Sequence, residues 1–257
     1  MTKIICIANQ KGGVGKTTTS VNLASSLAAA ERKTLLVDMD PQGNASSGVG
    51  VDKDALQENI YDALINDADP LPIVLGTCVP HLDILPATDD LAGAEPELVA
   101  ASDRERRLKL ALAKFGGRYD YIIIDSPPSL GLLTINAMTA ADSVLIPLQC
   151  EFYAMEGLSK ILKTINLVKK SLNPFLSIEG ILLTMFDARN KLSHQVAEDI
   201  RTHFKGTTFN TVIPRNVRLS EAPSHGKPII LYDITSRGAT SYLELAQEIM
   251  LREKKND

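Results

Sequence analysis

Asn9-Gln10-Lys11-Gly12-Gly13-Val14-Gly15-Lys16-Thr17-Thr18-Thr19 lies between an apolar run, Ile4 to Ala8, and a stretch of helical character from Thr17 to Ala30. Strand, glycine-rich loop and helix in that order form the arrangement that holds a polyphosphate. Glycines let backbone N–H groups close around phosphate oxygens, and the helix that follows turns its positive end towards them. In this reading Lys16 reaches the β and γ phosphates and the Thr17 hydroxyl ligates Mg2+. The general pattern G-x-x-x-x-G-K-[ST] lacks its first glycine, because Gln10 stands there, and a second lysine, Lys11, opens the loop. A flexible glycine-rich turn is the competing reading, but the run Lys11 to Thr17 is framed by strand and helix.

Two acidic strand ends support the loop. Thr34 to Met39 reads as a second buried strand and leads into Asp38-Met39-Asp40-Pro41-Gln42-Gly43-Asn44. Tyr119 to Asp125 is a β-branched run that ends in an acid, followed by Ser126-Pro127-Pro128-Ser129-Leu130-Gly131. Fully apolar strands separated by helices imply a parallel sheet covered on both faces. In such sheets ligands collect beyond the carboxyl ends of the strands, where Asp38, Asp40 and Asp125 fall. A carboxylate ending a buried strand near a phosphate loop is the Walker B arrangement, in which the acid holds Mg2+ directly or through water.

Leu82 to Leu85, Asp142 to Leu148, Ile178 to Met185 and Phe209 to Pro214 read as further strands, seven in all. Helical spacing marks Ala55 to Ile65, Arg104 to Phe115, Ala154 to Lys170 and Ser241 to Leu251, while Thr88 to Pro96 reads as a loop or irregular helix. Arg104, Arg106 and Arg107 read as a solvated face. The expected fold is α/β: one doubly wound, mostly parallel sheet with helices on both faces, and the K-G-G-V-G-K-T loop resembles that of the phosphate-loop NTPases of the deviant Walker A type. A single domain spans 1–257, with a flexible tail from about residue 252.

Composition agrees with that class. The chain has 257 residues, 44% hydrophobic and 23% charged, a size at which one α/β domain is normal. No apolar run is long enough for a membrane span, and Ile4 to Ala8 is too short for a signal peptide. Cys6, Cys78 and Cys150 have no metal-ligand spacing, which points to a reduced, cytoplasmic setting. The net charge of −4 argues against a strongly basic nucleic-acid binder, yet residues 151–257 hold 15 Lys+Arg against 12 Asp+Glu. That asymmetry permits a local basic face in the second half.

K-G-G-V-G-K-T-T-T, V-D-M-D-P-Q-G-N, Y-I-I-I-D-S-P-P, T-M-F-D-A-R and V-I-P-R-N-V-R-L-S-E-A-P-S-H-G-K-P together resemble the ParA/Soj partition ATPases, from Lys3 to about residue 250. The Val212–Pro228 stretch is the most specific of these. The resemblance implies that Lys11, Gly12, Gly13, Val14, Gly15, Lys16, Thr17 and Thr18 bind ATP. It implies a catalytic group of Lys11, acting across a dimer interface, Lys16, and Asp40, which positions the attacking water. Thr17, Asp38 and Asp125 would serve Mg2+, Pro214 and Asn216 the adenine, and Arg189 the DNA.

The function implied is an ATP-dependent switch. ATP closes a homodimer, the dimer binds double-stranded DNA without sequence preference at the nucleoid, and slow hydrolysis, stimulated by a ParB-type centromere-binding protein, resets it. Non-specific binding needs only phosphate contacts, so a modest basic face suffices. Three alternatives share parts of this pattern. A MinD-like membrane-cycling ATPase needs a terminal amphipathic helix, whereas Ser241 to Leu251 reads as core-capping and Arg252 to Asp257 offers no apolar residue to a membrane. An iron–sulfur ATPase needs cysteines that Asp125 to Gly131 lacks. A metabolic phosphate-loop ligase needs a small-substrate pocket, to which nothing in Asp40 to Gly50 points.

Overall fold

The structure is a computed structural model and describes residues 2–254. Short runs become strands, with β2 and β5 buried throughout: β1 (Lys3–Ile7), β2 (Thr34–Asp38), β3 (Leu75–Gly76), β4 (Leu82–Leu85), β5 (Tyr121–Asp125), β6 (Ser143–Gln149), β7 (Ser177–Phe186) and β8 (Thr208–Pro214). They form one sheet in the order β3-β4-β2-β5-β1-β6-β7-β8, and only the β3–β4 pair is antiparallel. The period-two alternation of a strand divides their side chains between two cores. Ile5, Ile7, Leu36 and Ile123 enter one; Cys6, Leu35, Val37, Ile122 and Ile124 enter the other.

The helices are α1 (Lys16–Ala29), α2 (Asn44–Gly48), α3 (Ile60–Ile65), α4 (Pro70–Ile73), α5 (Leu91–Ala100) and α6 (Arg107–Ala113). They continue as α7 (Leu132–Ala140), α8 (Ala154–Ser171), α9 (Lys191–His203), α10 (Val217–Glu221), α11 (Ile229–Tyr232) and α12 (Arg237–Glu253). Leu23 and Leu27 of α1 and Tyr242, Leu245 and Ile249 of α12 pack on the first face. Leu64 of α3, Leu98 of α5, Leu133 of α7, Ile161 of α8 and Ile200 of α9 pack on the second. The doubly wound α/β sandwich is therefore as the sequence implies.

The details differ in physically readable ways. The eighth strand, β3, is too short to display a period. Helix α7 has buried residues nearly all round and so carries no amphipathic signature. Helix α9, absent from the expected elements, opens on Asn190, whose side chain accepts from the Leu192 amide at 3.0 Å, and buries Ser193, Val196, Ala197 and Ile200 at helical spacing. The Ala55 to Ile65 expectation shrinks to α3, because Asn59 and Asp62 form a reciprocal capping box that starts the helix at Ile60. Where a loop or irregular helix is expected at Thr88 to Pro96, α5 runs from Leu91 to Ala100 with Pro96 inside it. Arg107 departs from the expected solvated face, since its side chain is 16% exposed and pairs with Asp67. Arg252 and Glu253 belong to α12, and residues 255–257 of the expected tail lie outside the described residues.

Gly180 of β7 exposes how tightly the edge of the sheet is packed. A Cβ there would meet the Phe209 ring at 2.5 Å, and that ring is buried beneath the Arg252 guanidinium, 4.2 Å from its centroid. Gly180→Ala is expected to destabilise the fold by about 1–3 kcal/mol through overpacking, measured by urea denaturation against wild type.

Candidate functional site

Strands β1, β2 and β5 end side by side, and the loops that leave them build the site. Beyond β1 the chain must turn sharply into α1. Gly13 (φ 74°) and Gly15 (φ 86°) take left-handed conformations that favour glycine. Gly15 stands at the N-cap of α1, which has no capping side chain and no acid in its first turn. Its first amides are therefore free for an anion. Thr184 of β7 anchors the loop by donating its hydroxyl proton to the Val14 carbonyl at 2.9 Å.

The two sequence lysines part ways. Lys16 is buried, and its Nζ donates to the Lys11 carbonyl at 3.2 Å. Burial lowers its pKa, an effect opposed by Asp125 and Asp40. Lys11 points outward, 47% exposed at its side chain, and forms an ion pair with Glu151 just beyond β6.

Asp38 and Asp125 are register partners on β2 and β5, and both are fully buried. Asp38 accepts from the Asp40 amide at 3.1 Å and from both the amide and hydroxyl of Ser46 at 2.8 Å. Burial nevertheless pushes it up to about 6. Asp125 Oδ1 accepts from the Ser20 hydroxyl at 2.7 Å, but its buried Oδ2 has no hydrogen-bond partner among the described residues. Burial, reinforced by Asp38, pushes Asp125 up to about 8, with the Ser20 and Thr17 hydroxyls pulling the other way. Asp40 accepts from the Gln42 amide at 3.0 Å and faces the cavity.

That cavity, about 570 Å³, is lined by Gly12, Gly13, Lys16, Thr17, Asp40 and the loop Pro127, Pro128 and Ser129, among others. A second cavity of about 410 Å³ adjoins it and contains Pro214, Asn216, Thr184 and Tyr242. Gly15, Thr18 and Met185 line both. Met185 has φ 50°, a strained backbone for a bulky side chain. The two hollows share Gly15, Thr18 and Met185 as a common wall. Among the described residues no cluster of three or more His, Cys, Asp or Glu side chains could hold a metal. Mg2+ does not require one, since it keeps several waters and takes one or two carboxylates plus phosphate oxygens. The orphaned Oδ2 of Asp125 beside Thr17 fits such an ion.

Arg189 lies apart from these cavities, on the turn between β7 and α9. It is 90% exposed and lies against Asp187, Nε to Oδ1 at 3.2 Å. Ser20, Ser46 and Glu151 complete the site although no sequence motif marks them, and Met185 joins it from within the T-M-F-D-A-R motif without having been assigned a role there. Of the first three only Ser20 leaves a trace in the sequence, standing one helical turn after Lys16.

Loop, strand ends and paired cavities define a phosphate-loop nucleotide-binding protein of the deviant Walker A type. The family model described as "AAA domain" matches residues 2–178. The chain is 62% identical over 251 residues to the chromosome partitioning protein ParA of Myxococcus xanthus, covering 98% of this chain and 89% of that one. It is likewise 62% identical over 249 residues to the sporulation initiation inhibitor protein Soj of Bacillus subtilis, covering 97% and 98%. A solved structure named cobyrinic acid a,c-diamide synthase, from Mycobacterium smegmatis with bound ADP and magnesium, superposes with a TM-score of 0.88 at 38% identity, covering 100% and 97%. This chain belongs to the ParA/Soj family of chromosome-partitioning ATPases.

The raised carboxyl of Asp125 has a measurable consequence in the nucleotide-free protein. A carboxyl group whose folded pKa lies above its unfolded value of about 3.9 binds its proton more tightly when folded. Stability therefore falls as pH rises from about 4 towards 8. Asp125→Asn, neutral throughout, is expected to melt higher than wild type at pH 7.5, with the difference closing by pH 4, in thermal scans across pH without Mg2+ or nucleotide.

Proposed function

We propose that this chain is the ATP-driven switch of a DNA-partition system. ATP with Mg2+ closes a two-fold dimer, the dimer holds double-stranded DNA without reading its sequence, and slow hydrolysis, accelerated by a ParB-type centromere-binding protein, lets go. The observation that carries this reading is the division of labour between two lysines on one loop. Lys16 is buried inside the phosphate cavity, whereas Lys11 faces outward, available to a second subunit. The 62% identity to partition proteins, against 38% to the diamide synthase, favours a DNA-partition role over small-molecule ligation.

Bound ATP·Mg2+ supplies the phosphoryl group and part of the charge neutralisation that its transfer needs. The free amides of α1 and the loop from Gly12 to Thr18 hold the phosphates, with Lys16 as the cation within the cavity. Thr17 and Asp125 hold the metal side, and Asp38 acts through Ser46 and the Asp40 amide to fix the loop that carries Asp40. Asp40 orients the attacking water. Pro214 and Asn216 border the base. Glu151, the acid that meets the loop, is paired with Lys11 and does not line the phosphate cavity, so no strong base stands there and turnover is expected to be slow. Arg189, exposed and paired with Asp187 through Nε and Nη2, contributes to a phosphate-binding face that dimerisation doubles. No helix among the described residues is long and apolar enough to cross a membrane. Helix α12 commits its apolar face to the core. That commitment favours DNA over a bilayer as the partner surface, and we assign the protein to the nucleoid in the cytoplasm.

DNA binding measured with ATP, with ADP and without nucleotide tests the switch; equal binding in all three refutes it. Asp40→Ala is expected to abolish hydrolysis while leaving an ATP-dependent dimer on size-exclusion chromatography. For Arg189→Ala, two phosphate contacts are lost per dimer. The slope of log affinity against log salt should fall by roughly two, equally on duplexes of unrelated sequence, with ATP binding intact.

A further inference from the structure

Helix α7 starts directly after the loop 126–131, and no side chain of its own caps it and no acid lies in its first turn. An acid reaches it from another helix. Glu95, midway along α5, lays its carboxylate over Gly131. A Cβ added to Gly131 would come within 2.7 Å of Glu95 Cδ and 2.8 Å of Oε2, with Oε1 nearer still. The amide of Leu133 donates to Oε1 at 3.5 Å. Gly131 itself has φ −79° and ψ −170°, extended backbone open to any residue. A methyl group at this position would therefore meet first the Glu95 carboxylate, the end of a flexible side chain, and would displace it from the start of α7.

The start of α7 matters because of what precedes it. Pro127, Pro128 and Ser129 line the phosphate cavity. The Thr134 hydroxyl donates to the Ser129 carbonyl at 2.6 Å, which joins the loop to the first turn of α7. Two consecutive prolines leave the loop little freedom to absorb a displacement at its far end. A shift of Gly131 is therefore passed back to the wall of the cavity, towards Asp125. The packing of α5 against α7 does not need Glu95, since Leu91, Ala94 and Leu98 share an apolar core with Leu133 and Ala137.

We propose that Glu95 is a positioning residue for phosphoryl transfer: by holding the N-terminal end of α7 over Gly131, it sets the 126–131 loop against the phosphate cavity. This rests on the ATP-hydrolysis reading above.

The test is a double-mutant cycle of wild type, Glu95→Ala, Gly131→Ala and the double variant, with Glu95→Gln beside it. Steady-state ATP hydrolysis, Mg·ADP affinity and thermal midpoint are measured for each. Gly131→Ala and Glu95→Ala alone are each expected to lower kcat by roughly ten- to a hundredfold, the scale of a misplacement of about 1 Å. Affinity for Mg·ADP and KM for ATP should stay within about twofold. The double variant should be no slower than Glu95→Ala, because the vacated space accepts the new methyl group. Glu95→Gln, which keeps an acceptor oxygen, should recover part of kcat. Multiplicative loss of kcat in the double variant, or normal kcat in Glu95→Ala, overturns the proposal. A loss confined to the thermal midpoint, with kcat intact, overturns it equally and assigns Glu95 to the fold alone. A wild-type protein that does not hydrolyse ATP refutes instead the reading on which the proposal stands.

Discussion

Asp38 and Asp125 face each other from neighbouring strands in a layer without solvent, and the site depends on that juxtaposition. Two carboxylates so placed cannot both ionise cheaply, because burial and mutual repulsion act in the same direction. The chain answers incompletely. Ser46 and the Asp40 amide satisfy Asp38, Ser20 satisfies half of Asp125, and the buried ammonium of Lys16 lies close enough to interact with Asp125. What is left over is an oxygen with no donor among the described residues, near a helix start that has no capping side chain. Cation and anion are wanted in adjacent places, and a metal–polyphosphate pair meets both demands together.

The same arrangement explains why the site's centre is legible in the sequence and its supports are not. Lys11, Lys16, Asp38, Asp40 and Asp125 occur in contiguous motifs, and residues of those types in that spacing suit little besides phosphate and metal. Strands β2 and β5 are equally visible, because strands buried on both faces must be apolar at successive positions. Ser20 meets Asp125 across 105 residues of chain, and a serine in a helix carries no sign of its partner until the fold supplies one. Glu151 and Glu95 are surface-type residues whose roles exist only through Lys11 and Gly131. Helix α7 is illegible for the opposite reason: it is apolar on nearly every side, so nothing in its pattern distinguishes helix from core strand.

A division runs through the molecule as well. One face of the sheet, carrying α1 and α12, forms the bed on which the phosphate loop is mounted. The other, carrying α3 and α5 to α9, supports the loops that follow Asp125 and β7. Thr184 bridges the two regions by holding the Val14 carbonyl from β7, the strand that ends at the Arg189 turn. The phosphate loop and that turn are thus attached to the same strand.

Met185 sits where the two cavities meet, its backbone in a conformation that bulky residues rarely adopt. A thioether offers contact and polarisability but almost no hydrogen bonding. A wall of that kind measures the thickness of a flat ring without asking which polar groups decorate its edge. If the second cavity takes the base, as proposed, discrimination between adenine and guanine falls to its rim, where Pro214, Arg215 and Asn216 stand.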